Sequence, residues 1–136
     1  MFTYVTLGTN DIERSIRFYD PVMAALGHRR CNEGGVTEAF EWVGWGTYED
    51  GVTIELALWL VKPFDGRPAT AGNGAMIAFD APSRAAVDAF YRAALEYGGI
   101  CEGEPGVRPY YGPSFYVAYA RDPDGNKLAA VCRSPG

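Results

Sequence analysis

Histidine is almost missing from this sequence: His28 is the only one in 136 residues. Chemistry that needs two imidazoles is therefore out of reach of one chain. Cysteine is scarce and odd in number. Cys31, Cys101 and Cys132 contain no C-x-x-C, so neither a disulfide framework nor a thiolate zinc site is indicated. Clustered positive charge is also missing. With 12 Lys+Arg against 17 Asp+Glu, a net charge of −5 and nothing more basic than Arg29-Arg30, the footprint of a nucleic-acid binder is absent. The same charge disfavours an anionic membrane surface. No apolar run approaches the ~20 residues of a membrane-spanning helix. Met1 leads directly into Phe2-Thr3-Tyr4-Val5 without a secretory pattern, and a soluble protein of the cytoplasm is expected. No Ser/His/Asp triad, P-loop or G-x-G-x-x-G is found.

What is present suits one globular unit: 48% hydrophobic, 14% aromatic and 21% charged residues are far from the composition of a disordered chain. The strongest internal signal is a repeat. Tyr4-Val5-Thr6-Leu7 lies over Met76-Ile77-Ala78-Phe79 at an offset of 72, and the same offset lays Phe18-Tyr19 on Phe90-Tyr91 and Gly27 on Gly99. Each copy opens with a β-prone run, Phe2 to Leu7 and Ala75 to Phe79. A helix start follows, with Asn10 and Glu13 at capping-box spacing in the first copy and Ser83 as N-cap in the second. Ile12, Ile16, Tyr19, Met23 and Leu26 share one face of the first helix. Val87, Phe90, Tyr91, Ala94 and Leu95 have helical spacing in the second. Glycine ends both, at Gly27 and Gly98-Gly99.

Strand-like runs complete each copy. They are His28 to Asn32, Glu38 to Trp45 and Val52 to Val61, with Glu49-Asp50-Gly51 as a turn, then Ile100 to Glu102, Ser114 to Arg121 and Lys127 to Cys132, with Asp122-Pro123-Asp124-Gly125 as a turn. The Pro- and Gly-rich stretch 63–74 reads as a linker between module one (1–62) and module two (75–136). The expected fold is α+β. Two βαβββ modules, each too small to bury a core alone, form one domain as a curled eight-stranded funnel with helices outside.

The ordered set Tyr4-Val5-Thr6-Leu7-Gly8-Thr9-Asn10-Asp11, Ser15, Phe18-Tyr19, Ala78 to Phe90 and Asp122-Pro123-Asp124-Gly125-Asn126 resembles the vicinal oxygen chelate superfamily of glyoxalase I, bleomycin resistance proteins and extradiol dioxygenases. The resemblance spans both repeats. It implies a funnel around a site, and a homodimer. In metal-using members it implies a His early in each module and a Glu near its end, donors suited to a divalent cation with positions left open for substrate.

At those positions this chain has Tyr4, Met76 and Ala129. The remaining position falls on Glu55, counted from the turn glycine, or on Ala57 in a gapless count. Thioether sulfur is a poor ligand for hard cations and alanine supplies no donor. No metal and no cofactor are therefore expected, and the superfamily's usual chemistry is lost.

Each candidate has an ordinary reading beside a functional one. Tyr4 and Met76 lie on strands, where such side chains commonly pack a core or line a pocket. Alternation puts Thr53, Glu55, Ala57 and Trp59 on one face, which meets either water or the funnel. The run Val107-Arg108-Pro109-Tyr110-Tyr111-Gly112-Pro113-Ser114-Phe115-Tyr116 is unusually aromatic, fitting a pocket rim or a dimer contact. The leading expectation is a small organic ligand held by Tyr4, Trp59, Met76, Tyr111 and Tyr116, with Glu55 as the polar handle and catalytic residues unassigned. Two other readings stand beside it. One is a divergent lyase, isomerase or dioxygenase using Glu55, Tyr111 and Arg108; the other is an inert interaction module.

Overall fold

The computed structural model describes residues 1–32, 41–49 and 54–135. In chain order the elements are β1 (Tyr4–Gly8), α1 (Ile12–Ala24), β2 (Arg30–Asn32), β3 (Trp42–Glu49), β4 (Ile54–Val61), β5 (Ile77–Asp80), α2 (Arg84–Glu96), β6 (Ile100–Val107), β7 (Tyr116–Arg121) and β8 (Lys127–Cys132), with a short 3-10 turn at Pro109–Tyr111. The order is βαβββ twice. The strands form two four-stranded sheets, β1-β4-β3-β2 and β5-β8-β7-β6. In each, the first strand runs parallel to the last while the other pairings are antiparallel. The sheets are open, and β1 and β5 are edge strands. The α+β fold of two βαβββ modules is as expected, its eight strands divided into two open four-stranded sheets. No helix among the described residues is long and apolar enough to cross a membrane.

Local chemistry explains the helix ends. Asp11, not Asn10, caps α1, its side chain accepting from the Arg14 amide. Asn10 is engaged elsewhere: its side chain exchanges two hydrogen bonds with the Ala69 backbone, at 2.7 and 3.1 Å, and so pins the segment after β4. Ser83 caps α2 as its position predicts. Gly27 and Gly98, at φ of 88° and 105°, take the left-handed conformation that stops both helices. Leu95 departs from the expected buried face and is exposed, whereas Phe18 and Val22 join the buried stripe of α1. β6 runs past Glu102 to Val107 by way of register shifts at Gly103 and Gly106. β7 starts at Tyr116, because the Phe115 amide closes a turn on the Gly112 carbonyl. Of the Glu49-Asp50-Gly51 turn only Glu49, and of the run from Glu38 to Trp45 only residues 41–45, lie within the described residues.

One buried cluster spans both modules. It joins Phe18, Tyr19, Val22 and Met23 of α1 to Val87, Phe90 and Ala94 of α2, with Trp45, Leu58 and Leu60 from one sheet and Ala118, Ala120, Leu128 and Ala130 from the other. α1 packs directly on α2, and alanines at 118, 120 and 130 let α2 lie close to its sheet. Burying a side chain such as Phe90 contributes roughly 1.5–3 kcal/mol, so the shared cluster is the main source of cohesion.

A polar lock closes the module boundary. The turn after β7 places Asp122, 4% exposed, against α1, where the Tyr19 hydroxyl donates to its Oδ2 at 2.5 Å. Oδ1 accepts from the Asp124 and Asn126 amides, and Asn126 Nδ2 bridges Asp122 to the Gly8 carbonyl. Asp124 takes the Asn10 amide and forms an ion pair with Arg14 at 2.7 Å. Burial, followed by the charge of Asp122, holds the Tyr19 phenol well above its ordinary range.

The unfolded chain ionises this phenol near pH ~10 while the folded chain keeps its proton. The unfolded state then binds fewer protons, so this contribution to stability is complete below about pH 10 and declines as pH rises from there toward the folded value. Tyr19→Phe is expected to cost about 1–3 kcal/mol at pH 7, because it leaves Asp122 short of a donor. It is also expected to make the alkaline loss of stability shallower. Urea unfolding of both proteins at neutral and alkaline pH checks this; identical alkaline slopes would place the titration on other groups.

Candidate functional site

On the sheet of module one, alternation sends Val43, Trp45, Leu58 and Leu60 toward the helices and the intervening residues to the opposite, open face. Register aligns Tyr4, Ala57 and Gly46 in one row of that face and Thr6, Trp59 and Gly44 in the next, with Glu55 opposite Tyr48. Glycine at 44 creates the seat for Trp59. A Cβ there would lie 2.4 Å from the indole ring, so the ring rests on the Gly44 backbone and is only 7% exposed. In this position the indole Nε1 donates to Glu55 Oε2 at 2.7 Å, and the Tyr48 ring meets the indole edge-on at 5.7 Å. Among the described residues no hydrogen bond engages Glu55 Oε1. Burial, together with the Glu55 charge, raises the Cys31 thiol above its usual range.

The open face of module two is different in kind. Its middle row is Ala78, Ala129, Tyr119 and Gly103. Ala129 is wholly buried, with Val117 and Val131 around it and the Tyr119 side chain packed on this group. Burial also raises the Tyr119 phenol. Met76, just before β5, is 45% exposed; with Lys127, Asn126 and β1 residues it borders a cavity of about 350 Å³ between the two edge strands.

The structure thus gathers Tyr4, Glu55 and Trp59 on one face and puts Met76 on the other sheet. Tyr4 also borders an apolar hollow of about 230 Å³ together with Phe2, His28, Leu56 and Ile77. Tyr111 sits in the 3-10 turn, 62% exposed, beside Phe115. Tyr116 does not point to the open face as expected. Its parity with Ala118 and Ala120 turns it toward α2, where its hydroxyl donates to Asp88 at 2.6 Å and Arg84 lies over its ring. That hydrogen bond, with burial, raises its phenol.

The residues at the four family ligand positions do not fit a divalent metal. Glu55 is bonded to an indole, Met76 offers a thioether, and Ala129 lies buried under its neighbours. Among the described residues no three His, Cys, Asp or Glu side chains are grouped to hold an ion.

Sequence reading missed Tyr48, Gly44 and Tyr119. The period-two run Trp42, Gly44, Gly46, Tyr48 carried the first two, since paired glycines inside a strand mark a close approach of another group. The alternation Val117, Tyr119, Arg121 carried the third.

Residues 2–130 match the family model described as the Glyoxalase/Bleomycin resistance protein/Dioxygenase superfamily. A "Probable lactoylglutathione lyase" of Vibrio cholerae serotype O1 is 30% identical over 130 residues, which cover 94% of this chain and 87% of that protein. Among solved structures, a glyoxalase/bleomycin resistance protein from Albidiferax ferrireducens T118 is 35% identical. It superposes with a TM-score of 0.80 over 98% of this chain and 99% of its own. A glyoxylase/bleomycin resistance protein/dioxygenase domain from Frankia sp. EAN1pec, at 16% identity and TM-score 0.71 over 98% of each chain, shares the fold.

The seat of Trp59 generates a direct test. Gly44→Ala forces the indole off the strand, at a cost of about 1–3 kcal/mol for overpacking, and breaks its bond to Glu55. A lower melting temperature and red-shifted tryptophan emission are expected. Unchanged emission would mean that the indole does not rest on Gly44.

Proposed function

The chain belongs to the Glyoxalase/Bleomycin resistance protein/Dioxygenase superfamily, and from that premise we propose that it is a metal-independent small-molecule binding protein of the cytoplasm. The observation that carries this reading is the Glu55–Trp59 hydrogen bond at 2.7 Å, which fixes a carboxylate in an aromatic wall with its second oxygen open. Tyr4 and Tyr48 extend the wall, and Met76, Tyr111 and Tyr116 stay in the proposal only as residues of the other module. Of these, Tyr116 is the one turned away from the open face. An aromatic wall with one carboxylate suits a flat, cationic organic molecule, attracted by ring faces and by charge. Loss of three of four metal donors supports binding over metal-assisted catalysis. A second reading, a divergent lyase, is favoured by the relationship to the Vibrio cholerae protein. Lactoylglutathione lyase turnover by the purified chain, abolished in Glu55→Gln, would replace the first reading with the second.

A second copy of the chain is proposed to cover the open sheets, whose exposed apolar groups include Tyr4 at 51% and Met76 at 45%. Sedimentation is expected to give the mass of two chains; a single chain at micromolar concentration would remove the partner from the proposal.

The binding reading is tested by tryptophan quenching. Planar aromatic cations are expected to quench emission saturably. Glu55→Gln should weaken them by more than the ~1 kcal/mol of an exposed ion pair, with neutral analogues little changed. Equal affinities in both proteins would remove Glu55 from the site, and one tightly held divalent ion per chain on metal analysis would overturn metal independence.

A further inference from the structure

Three cations on or beside the open face of module two each lie over an aromatic ring. Arg108 and Lys127 are 5.8 and 5.4 Å from the centre of the Tyr119 ring, and Arg133 is 5.1 Å from that of Phe115. Among the described residues, ion pairs engage Arg14, Arg30, Lys62 and Arg121, and none of these three. In a chain with 17 acidic and 12 basic residues, three cations without a carboxylate partner on one face call for an explanation. Glu102, which feels the charge of Lys127, is already held by Arg121.

The Arg108 guanidinium is built into place. Its Nη2 donates to the Glu104 carbonyl at 2.8 Å. A Cβ at Gly103 would lie 3.3 Å from Nη2 and 2.8 Å from the Tyr119 ring, and one at Gly106 would lie 3.1 Å from Nη1. The two glycines of β6 therefore leave room for the guanidinium to lie back on the strand. A guanidinium fixed in advance loses less freedom on meeting an anion.

Beside it, Tyr111, Phe115 and Arg133 line a shallow hollow of about 180 Å³, with the Gly112-Pro113-Ser114 turn along its rim. Tyr111 packs at a tilt against Tyr110, with ring centres 4.5 Å apart, and against Phe115 at 5.2 Å; the Arg108 amide donates to the Phe115 carbonyl at 2.9 Å, and Phe115 and Tyr119 pack on one cluster, so the hollow and the Arg108 seat adjoin. The volume falls below the roughly 300–1,000 Å³ of drug-sized pockets, which selects a ligand of about one ring. Aromatic walls beside a guanidinium fork suit a planar body carrying a carboxylate.

We propose that the Tyr111–Phe115–Arg133 hollow, with Arg108 and Lys127 supplying the surrounding positive field, binds a small aromatic carboxylate. The site is separate from the Glu55 face, which would take cations, and stands without it.

Benzoate is the probe, with benzyl alcohol and benzylamine as neutral and cationic counterparts, followed by ligand-observed NMR titration of the full chain. Benzoate is expected to bind saturably and roughly tenfold more tightly than either counterpart, a charge-assisted difference. Arg108→Gln and Arg133→Gln are each expected to weaken it about fivefold or more. Arg92→Gln, exposed on α2 away from the hollow, should bind benzoate as the parent does, and so should Glu55→Gln. Benzoate binding no tighter than benzyl alcohol, or retained in both arginine variants, would overturn the site. Loss in Glu55→Gln alone would move the anion to module one and also overturn it. Failure of aromatic cations to respond to Glu55→Gln bears only on the Glu55 face and leaves the carboxylate site in place.

Discussion

Asp122 is a carboxylate taken almost wholly out of water at the boundary between two half-domains, and such a group is tolerable only while its oxygens are hydrogen-bonded. Its donors come from both modules: Tyr19 from α1, and the amides of Asp124 and Asn126 with the Asn126 side chain from the turn itself. Any rotation of one module against the other would strip donors from a buried charge. The apolar cluster supplies most of the cohesion, but it is not directional; the Asp122 lock fixes the angle at which the modules meet. The two open faces inherit their relative placement from that angle.

Those faces have diverged in charge as well as in shape. Module one presents Glu55 among Tyr4, Tyr48 and Trp59, with glycines making room for the indole. Module two presents Tyr119 between Arg108 and Lys127, with glycines making room for a guanidinium. Both arrangements use the same device, a strand stripped of its side chain so that a planar group can lie on the backbone. A duplicated scaffold built around one shared metal would need matching donors at repeat-related positions. Here Tyr4, Met76 and Ala129 stand at three of the positions to which the resemblance points, and the register that sets Ala129 opposite Ala78 sets Trp59 opposite Thr6, so the two faces carry different side chains at repeat-related places.

The repeat, the order of elements, the helix stops and the D-P-D-G turn could be read in the sequence because each rests on local chemistry: period-two and helical spacing, and residues that tolerate special backbone angles. Asn10 shows where local reasoning stops. As a cap it fitted the spacing, but the Ala69 backbone, 59 positions away, competes for its side chain and Asp11 caps instead. Tyr116 shows the same for the site. Composition placed it in an aromatic loop, while strand parity, fixed only once β7 begins at Tyr116, turns it to Asp88. The Glu55–Trp59 pair was legible as a shared face; its hydrogen bond was not, because it depends on Gly44 from a neighbouring strand.

The lock also imposes an order in time. Tyr19 and Asp122 are 103 residues apart, and β1 must wait for β4 before it has a partner at all. During synthesis, module one leaves the ribosome with Phe18, Tyr19 and Val22 of α1 lacking the module-two part of the cluster they finally join. Long-range closure of this kind is slow, and the exposed apolar stripe is open to association until the last two strands arrive. Any pause in synthesis before residue 116 would lengthen that exposure.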